Sequence, residues 1–287
     1  MRLLRVVRRA LSWKLHMDVS DEQISRFEAD GFLILDRVVS DARVERILAA
    51  MDRVYKGTYN RDIRPAAVRK PVSAFGTKQS VQWILNARFV DSDLWDLATD
   101  RGLGQAVARL LRTPAASVVE DQLLAKPERG APVNLHQDYS YWRFSTSTNM
   151  VTCWLALTDM TAEMGPVELV RGSHRWGICA RPRELIHGSS EDYLEAARQV
   201  APEGAEFQFQ PAIVPKGGGV FFHGLTFHGS RGNFTDKWRR AVSLHWAASD
   251  CLLDRSKLFD YDHPYLFSGL RQGDRLVNKY IPQVYPV

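Results

Sequence analysis

The residues Leu135-His136-Gln137-Asp138 hold an imidazole and a carboxylate two positions apart. On an extended strand, residues two apart project to the same face, so a strand here points His136 and Asp138 together. A neutral imidazole beside a carboxylate suits a divalent transition metal but leaves it short of ligands. The pattern alone is common by chance, and a hydrogen-bonded His–Asp pair on a sheet surface would use it equally well.

A second stretch supplies what the first lacks. Residues 219–246 read GVFFHGLTFHGSRGNFTDKWRRAVSLHW. The pattern predicts a strand ending at an HGS turn, a polar loop, and a new strand opened by Arg239. A histidine from this stretch completes two His and one carboxylate on one face of a metal, the facial triad of non-haem Fe(II) oxygenases, with three positions open. His223 and His228 compete for the place; five residues apart, they cannot share one side of a continuous strand. Arg239 and Arg240 compete as well. On a strand over 239–246, Arg239 shares a face with Ala241, Ser243 and His245, small and polar like a pocket lining. Arg240 shares the packing face of Val242, Leu244 and Trp246. Arg239 is therefore the better placed to grip a carboxylate bidentately.

The elements that must position these residues fall into two groups. Residues 2–15 read as an amphipathic helix with Arg2, Arg5, Arg8, Arg9 and Ser12 on one arc. Ser20-Asp-Glu-Gln23 is a capping box, opening a helix that stops before Gly31. Phe32-Leu-Ile-Leu35 reads as a short buried strand, and helices are predicted around 41–55 and 92–112. Beyond them the period changes to strands at 117–126, 133–139, 149–158, 166–170, 211–214, 219–223 and 239–247, interrupted by a polar, partly helical insertion over 182–205. Helices first and many short strands after predict an α+β protein built around a β-sandwich or small barrel.

Composition sets the limits. A chain of 287 residues with 45% apolar and 25% charged residues is an ordinary soluble globular protein, long enough for a full core. The net charge of +5 is carried by the first 16 residues, where five basic residues meet no acid. The remainder is neutral, which excludes a nucleic-acid-binding body. A basic amphipathic helix containing Trp13 suits an anionic membrane surface, or else docks on its own protein. Cys153, Cys179 and Cys251 form neither an even set nor a CxxC pair, so a disulfide scaffold is not expected and a reducing cytoplasm is the default setting. No apolar run is long enough to span a membrane, and the N-terminus lacks the apolar core of a signal peptide. Arg61, Arg64, Arg69, Lys70 and Lys78 cluster in a loop-like stretch that would either meet an anionic group or simply be solvated.

Over most of residues 20–247 the chain resembles the phytanoyl-CoA dioxygenase-like branch of the Fe(II)/2-oxoglutarate-dependent oxygenases. The resemblance rests on SDEQISRFEADGFLILDRVVS, LLAKP, HQD, MVTCWLALTD, GPVELVRGSHRWG and HGSRGN followed by an arginine. It implies a double-stranded β-helix, or jelly roll, with flanking N-terminal helices, and with the basic segment read from its own charge pattern the expected organisation is that segment over 1–16 and a single catalytic domain over 17–287. It also implies that His136, Asp138 and His228 hold Fe(II), that Arg239 and Ser230 hold the distal carboxylate of 2-oxoglutarate, and that Gln122 and Trp154 line the cosubstrate pocket. O₂ would be the oxidant, succinate and CO₂ the coproducts, and a small-molecule C–H bond the target. Tyr139, Tyr141 and Trp142 either line the substrate cavity or pack at the barrel mouth. The usual N-G-P…P-G-S-H turn of that family is here Met164-Gly-Pro…Arg171-Gly-Ser-His174, with His174 read as structural. Retention of Asp138 argues for hydroxylation over halogenation, since related halogenases replace that aspartate by a small residue. The competing reading is a non-catalytic jelly-roll binding module with a vestigial metal site.

Overall fold

The structure is a computed structural model that describes residues 17–63, 72–74, 81–179, 194–258 and 264–286. The amphipathic segment 2–15, the basic residues Arg64, Arg69, Lys70 and Lys78, and residues 182–193 of the predicted insertion lie outside the described residues. No helix among those described is long and apolar enough to cross a membrane.

The capping box forms as the sequence predicts: the Ser20 hydroxyl accepts from the Gln23 amide at 3.2 Å, and the Gln23 side chain accepts from the Ser20 amide at 2.9 Å. Helix α1 (Asp21–Asp30) follows and ends at Gly31, whose φ of 83° suits a residue without a Cβ. Strand β1 (Phe32–Leu35) leads to α2 (Asp41–Tyr55), which buries Val44, Ile47, Met51 and Val54. The helix expected over 92–112 is two helices, α3 (Ser92–Ala98) and α4 (Arg101–Leu110). Asp100 breaks it: its side chain accepts from the Leu103 amide and so caps a new start.

Two antiparallel sheets face one another. The larger runs β1-β9-β6-β11-β4-β3-β2, with β12 also pairing β4. Its members are β2 (Val72–Ala74), β3 (Gln82–Leu85), β4 (Ala116–Lys126), β6 (Met150–Ala156), β9 (Gly219–His223), β11 (Arg239–Ala248) and β12 (Gln283–Tyr285). The smaller runs β5-β10-β7-β8, from β5 (Val133–His136), β10 (His228–Ser230), β7 (Val167–Val170) and β8 (Phe209–Pro211). Strand alternation divides the apolar residues between two layers. Leu124, Trp154, Val220, Phe222 and Ala241 join Val167 and Leu169 between the sheets. Leu123, Cys153, Phe221, Val242, Leu244 and Trp246 pack outward with α1–α4. This is the jelly roll with N-terminal helices that the resemblance implies.

Three strand expectations are corrected. The strand predicted over 133–139 stops at His136, because the chain folds into a 3₁₀ turn over Asp138–Tyr141. The strand at 211–214 is instead Phe209–Pro211. The HGS sequence is not a turn: His228–Ser230 is itself a strand, held between β5 and β7.

Candidate active site

His136 closes β5 and His228 opens β10, and the two are register partners. Their rings are 4.2 Å apart, centroid to centroid. Asp138 reaches them because Gln137, wholly buried, pegs the turn between the two sheets. Its amide donates to the carbonyls of Gly177 and Leu225 at 2.7 and 2.8 Å and accepts from the Cys179 amide at 2.8 Å. Asp138 Oδ1 then lies 3.8 Å from His136 Nε2 and 3.5 Å from His228 Nε2. Among the described residues these three form the one group of histidine, cysteine or acidic side chains able to hold a metal, their donor atoms lying within 4.8 Å of one another.

The donor set fits a divalent ion. His136 Nδ1 lies 2.8 Å from the Asn134 carbonyl, and His228 Nδ1 lies 3.0 Å from the Thr226 carbonyl. A carbonyl only accepts, so each Nδ1 carries a proton and each Nε2 is the atom turned toward Asp138, where a metal would take it as a ligand. Burial works against the Asp138 carboxylate, yet positive charge and hydrogen-bond donation from His228, with charge on His245 and His136 adding to it, hold the group well below the usual carboxylate range, and a metal ion would supply that charge in their place.

Two residues that the sequence analysis did not single out hold Asp138 from behind. The Thr152 hydroxyl donates to Asp138 Oδ2 at 2.5 Å, and therefore accepts from His245 Nδ1 at 2.9 Å. Burial pushes the His245 imidazole down to about 4. Outer partners of this kind typically carry about 10–100-fold in metal affinity. Thr152→Val keeps the shape and removes the hydroxyl, so we expect Fe(II) binding to weaken by about that factor in an anaerobic chelator competition. Unchanged affinity would reduce Thr152 to packing.

A separate cationic pocket lies at the far end of β11. Arg239 is 3% exposed and donates to the Gly165 carbonyl at 2.7 Å, while its Nε has no partner. Gly165 is needed there: a Cβ would stand 2.3 Å from the Arg231 carbonyl oxygen. Trp154 is buried beside Arg239, its ring 5.7 Å from the guanidinium carbon. Lys126, fully buried and the register partner of Arg239, donates to Ser230 Oγ at 2.8 Å and to the Arg231 carbonyl. Burial, with Arg239 adding to it, pushes the Lys126 ammonium down to about 6. Burial likewise lowers Arg239, to about 10. The carboxylate near Lys126, Glu168, is taken by Arg231 at 2.9 Å. A buried guanidinium beside an amine that burial tends to discharge makes a site that an anion would complete, drawing the proton back onto Lys126. Lys126 stood within the LLAKP motif, and its even spacing from Gln122 along β4 was the signal that it shares the pocket face.

The other candidates are placed as follows. Arg240 lies on the opposite face and binds Asp52 of α2 at 2.9 Å. His223 stands apart from the triad, its Nδ1 accepting from the Leu225 amide and its ring 5.8 Å from His174. Gln122 donates to Glu120 Oε1 at 3.0 Å. Tyr139 is buried and donates to the Ser145 carbonyl, and Trp142 is buried with its ring 4.7 Å from His245. Tyr141 is half-buried, its ring 6.3 Å from that of His136. Arg61 stacks on Trp95.

Comparison with known proteins gives consistent findings. The family model described as phytanoyl-CoA dioxygenase (PhyH) matches residues 27–241. The peroxisomal phytanoyl-CoA dioxygenase of Mus musculus is 25% identical over 242 residues, 80% of this chain and 69% of that protein. The ectoine dioxygenase of Bordetella bronchiseptica is 27% identical over 240 residues, 78% and 73% of the two chains. Among solved structures, the non-heme alpha ketoglutarate dependent carbocyclase SnoK from nogalamycin biosynthesis superposes with a TM-score of 0.70 at 22% identity, covering 93% of this chain and 97% of its own. EctD from S. alaskensis with 2-oxoglutarate and 5-hydroxyectoine superposes with a TM-score of 0.66 at 20% identity, covering 92% and 90%. These likenesses support the jelly-roll fold.

Proposed function

Because this chain belongs to the phytanoyl-CoA dioxygenase (PhyH) family, we propose that it is a non-haem Fe(II)/2-oxoglutarate-dependent dioxygenase. Its reaction hydroxylates an unactivated C–H bond of a small-molecule or acyl substrate, with release of succinate and CO₂. The observation that carries this reading is the convergence of two imidazoles and one carboxylate, in a fold that also buries Arg239 beside Lys126. A hydrolytic metal site would have no use for that second feature.

His136, Asp138 and His228 would hold the iron, leaving room for cosubstrate and O₂. When bound, iron and 2-oxoglutarate supply the oxidising chemistry, and the protein supplies binding, orientation and exclusion of water. Thr152 and His245 fix the Asp138 carboxylate so that Oδ1 stays toward the two histidines. Arg239, Lys126 and Ser230 would grip the far carboxylate of the cosubstrate, with Trp154 walling the pocket beside them. Gln122 would line the same cavity further along β4. No side chain here need act as acid, base or nucleophile. A cytoplasmic setting goes with this reading, supported by three cysteines that are all free.

The test is an anaerobic titration of the metal-free protein with Fe(II) and then 2-oxoglutarate. A visible charge-transfer band saturating at one equivalent is the expected result. A folded protein that gives no band would favour the non-catalytic binding module.

A further inference from the structure

We propose that Glu120, steadied by Gln122 and standing beside His245, is the substrate-selecting residue of this pocket, and that it recognises a basic nitrogen, an ammonium or guanidinium, on the substrate. The assignment rests on the oxygenase reading and deepens it by naming the class of molecule oxidised.

The backbone makes the first argument. β4 is an inner strand, bounded by β11 on one edge and by β3 and β12 on the other. Of its eleven residues, only Glu120 and Gln122 are partly exposed. An inner strand whose two accessible side chains share one face is lining a cavity. The register with β11 slips at this point: His245 pairs Glu120, whereas Trp246 pairs Val118. Val119 is the extra residue, and Val118 and Val119 both pack in the helix-covered layer. The register is unbroken from Arg239–Lys126 to His245–Glu120, so alternation places Glu120 on the face of His245, the face that carries Thr152 and Asp138, and the bulge follows directly after it. The bulge is itself buttressed, since Arg88 donates to the Val119 carbonyl at 2.8 Å.

Charge and hydrogen bonding make the second argument. Glu120 accepts from Gln122 and forms no ion pair among the described residues. The nearby cation, Arg88, is committed to Asp121 at 2.6 Å, to Asn86 and to two backbone carbonyls. Burial, with the charges of Asp121 and Asp138 adding to it, raises the Glu120 carboxyl to about 7. Its register partner His245 is 2% exposed, and its Nε2 has no hydrogen-bond partner. Two acceptors side by side, with one oxygen's worth of donor between them, call for a group that only donates. An ammonium or guanidinium does so and brings the charge that keeps Glu120 ionised. An alcohol or amide would satisfy the hydrogen bonds but not the charge, and a carboxylate would be repelled.

The experiment uses the full-length Fe(II)·2-oxoglutarate complex without O₂. Alkylammonium ions from methyl to hexyl are titrated alongside alcohols and carboxylates of the same length. Binding is read from shifts of the charge-transfer band and independently from tryptophan fluorescence, Trp142 lying beside His245. We expect at least one ammonium ion to bind about tenfold or more tightly than its alcohol and carboxylate counterparts. In Glu120→Gln that preference should vanish while the band still forms at one equivalent of 2-oxoglutarate. No ammonium preference in the wild type, or a preference that survives Glu120→Gln, overturns the assignment. Failure of the band itself in the wild type counts against the oxygenase reading instead, because the fluorescence comparison needs no chelate.

Discussion

Asp138→Ala is expected to abolish 2-oxoglutarate turnover and to cost more than about 100-fold in Fe(II) affinity, since outer partners of a metal site alone carry about 10–100-fold. Asp138 is the anion of the proposed triad, and His136 and His228, each with a proton on Nδ1, would serve a metal as uncharged ligands through Nε2. Without it a dication would face two imidazoles and no compensating charge. The loss also spreads outward, because the Thr152 hydroxyl loses the acceptor toward which it is turned, and the His245–Thr152 bond loses its anchor. The fold should survive. Asp138 lies in a turn pegged by Gln137, and the apolar layer between the sheets does not include it. Asp138→Asn separates charge from shape, because it keeps an acceptor toward Thr152 and removes the anion. It should fail nearly as badly as alanine. Anaerobic Fe(II) titration, with circular dichroism to confirm folding and succinate release to follow turnover, decides the matter. One-equivalent iron binding retained in either variant would remove Asp138 from the triad.

The parts of this site that could be read in the sequence are those whose spacing matches a local period. The face shared by Arg239, Ala241, Ser243 and His245 follows from strand alternation alone, and β11 runs from Arg239 to Ala248 as that alternation requires. The capping box at Ser20 and the helix stop at Gly31 are equally local. What was illegible depends on pairing between distant segments. His228–Ser230 has no strand propensity of its own, and it is extended because β5 and β7 supply hydrogen bonds on both sides. The two candidate ligands of the HQD motif converge without lying on one strand. Gln137 ties the chain to carbonyls 40 and 88 residues away, and a turn replaces the expected strand end. Thr152 and His245 become partners of Asp138 only through the β6–β11 register. The bulge at Val119 follows the same rule, since nothing in SVVEDQ marks where a neighbouring strand will slip. Asp100 is the exception: its capping chemistry was local, but it sat inside an apolar helical pattern that read as continuous.

Arg239→Ala is expected to weaken 2-oxoglutarate binding by about 2–5 kcal/mol, roughly 30- to 5,000-fold, as truncating one partner of a buried charge pair does. The reason lies in what the pocket lacks. Arg239 and Lys126 are register partners, both buried, and burial lowers the affinity of each for its proton. Their hydrogen bonds go to neutral oxygens, the Gly165 carbonyl for Arg239 and Ser230 and the Arg231 carbonyl for Lys126, while the nearby Glu168 carboxylate is bound by Arg231. Such a pair costs folding energy unless an anion completes it, and the distal carboxylate of 2-oxoglutarate is an anion of suitable geometry for a guanidinium fork. Arg239→Lys should recover only part of the loss, because a point charge cannot reproduce the bidentate contact. Lys126→Met removes the amine that a bound anion would recharge and should weaken binding in the same direction. Arg240→Ala is the matched control. Its guanidinium reaches Asp52 on the helix-covered face, so cosubstrate affinity should not change. Titration of the Fe(II) protein with 2-oxoglutarate, read by the charge-transfer band, compares all four variants. If Arg240→Ala weakens binding and Arg239→Ala does not, the cosubstrate pocket lies on the other face of β11.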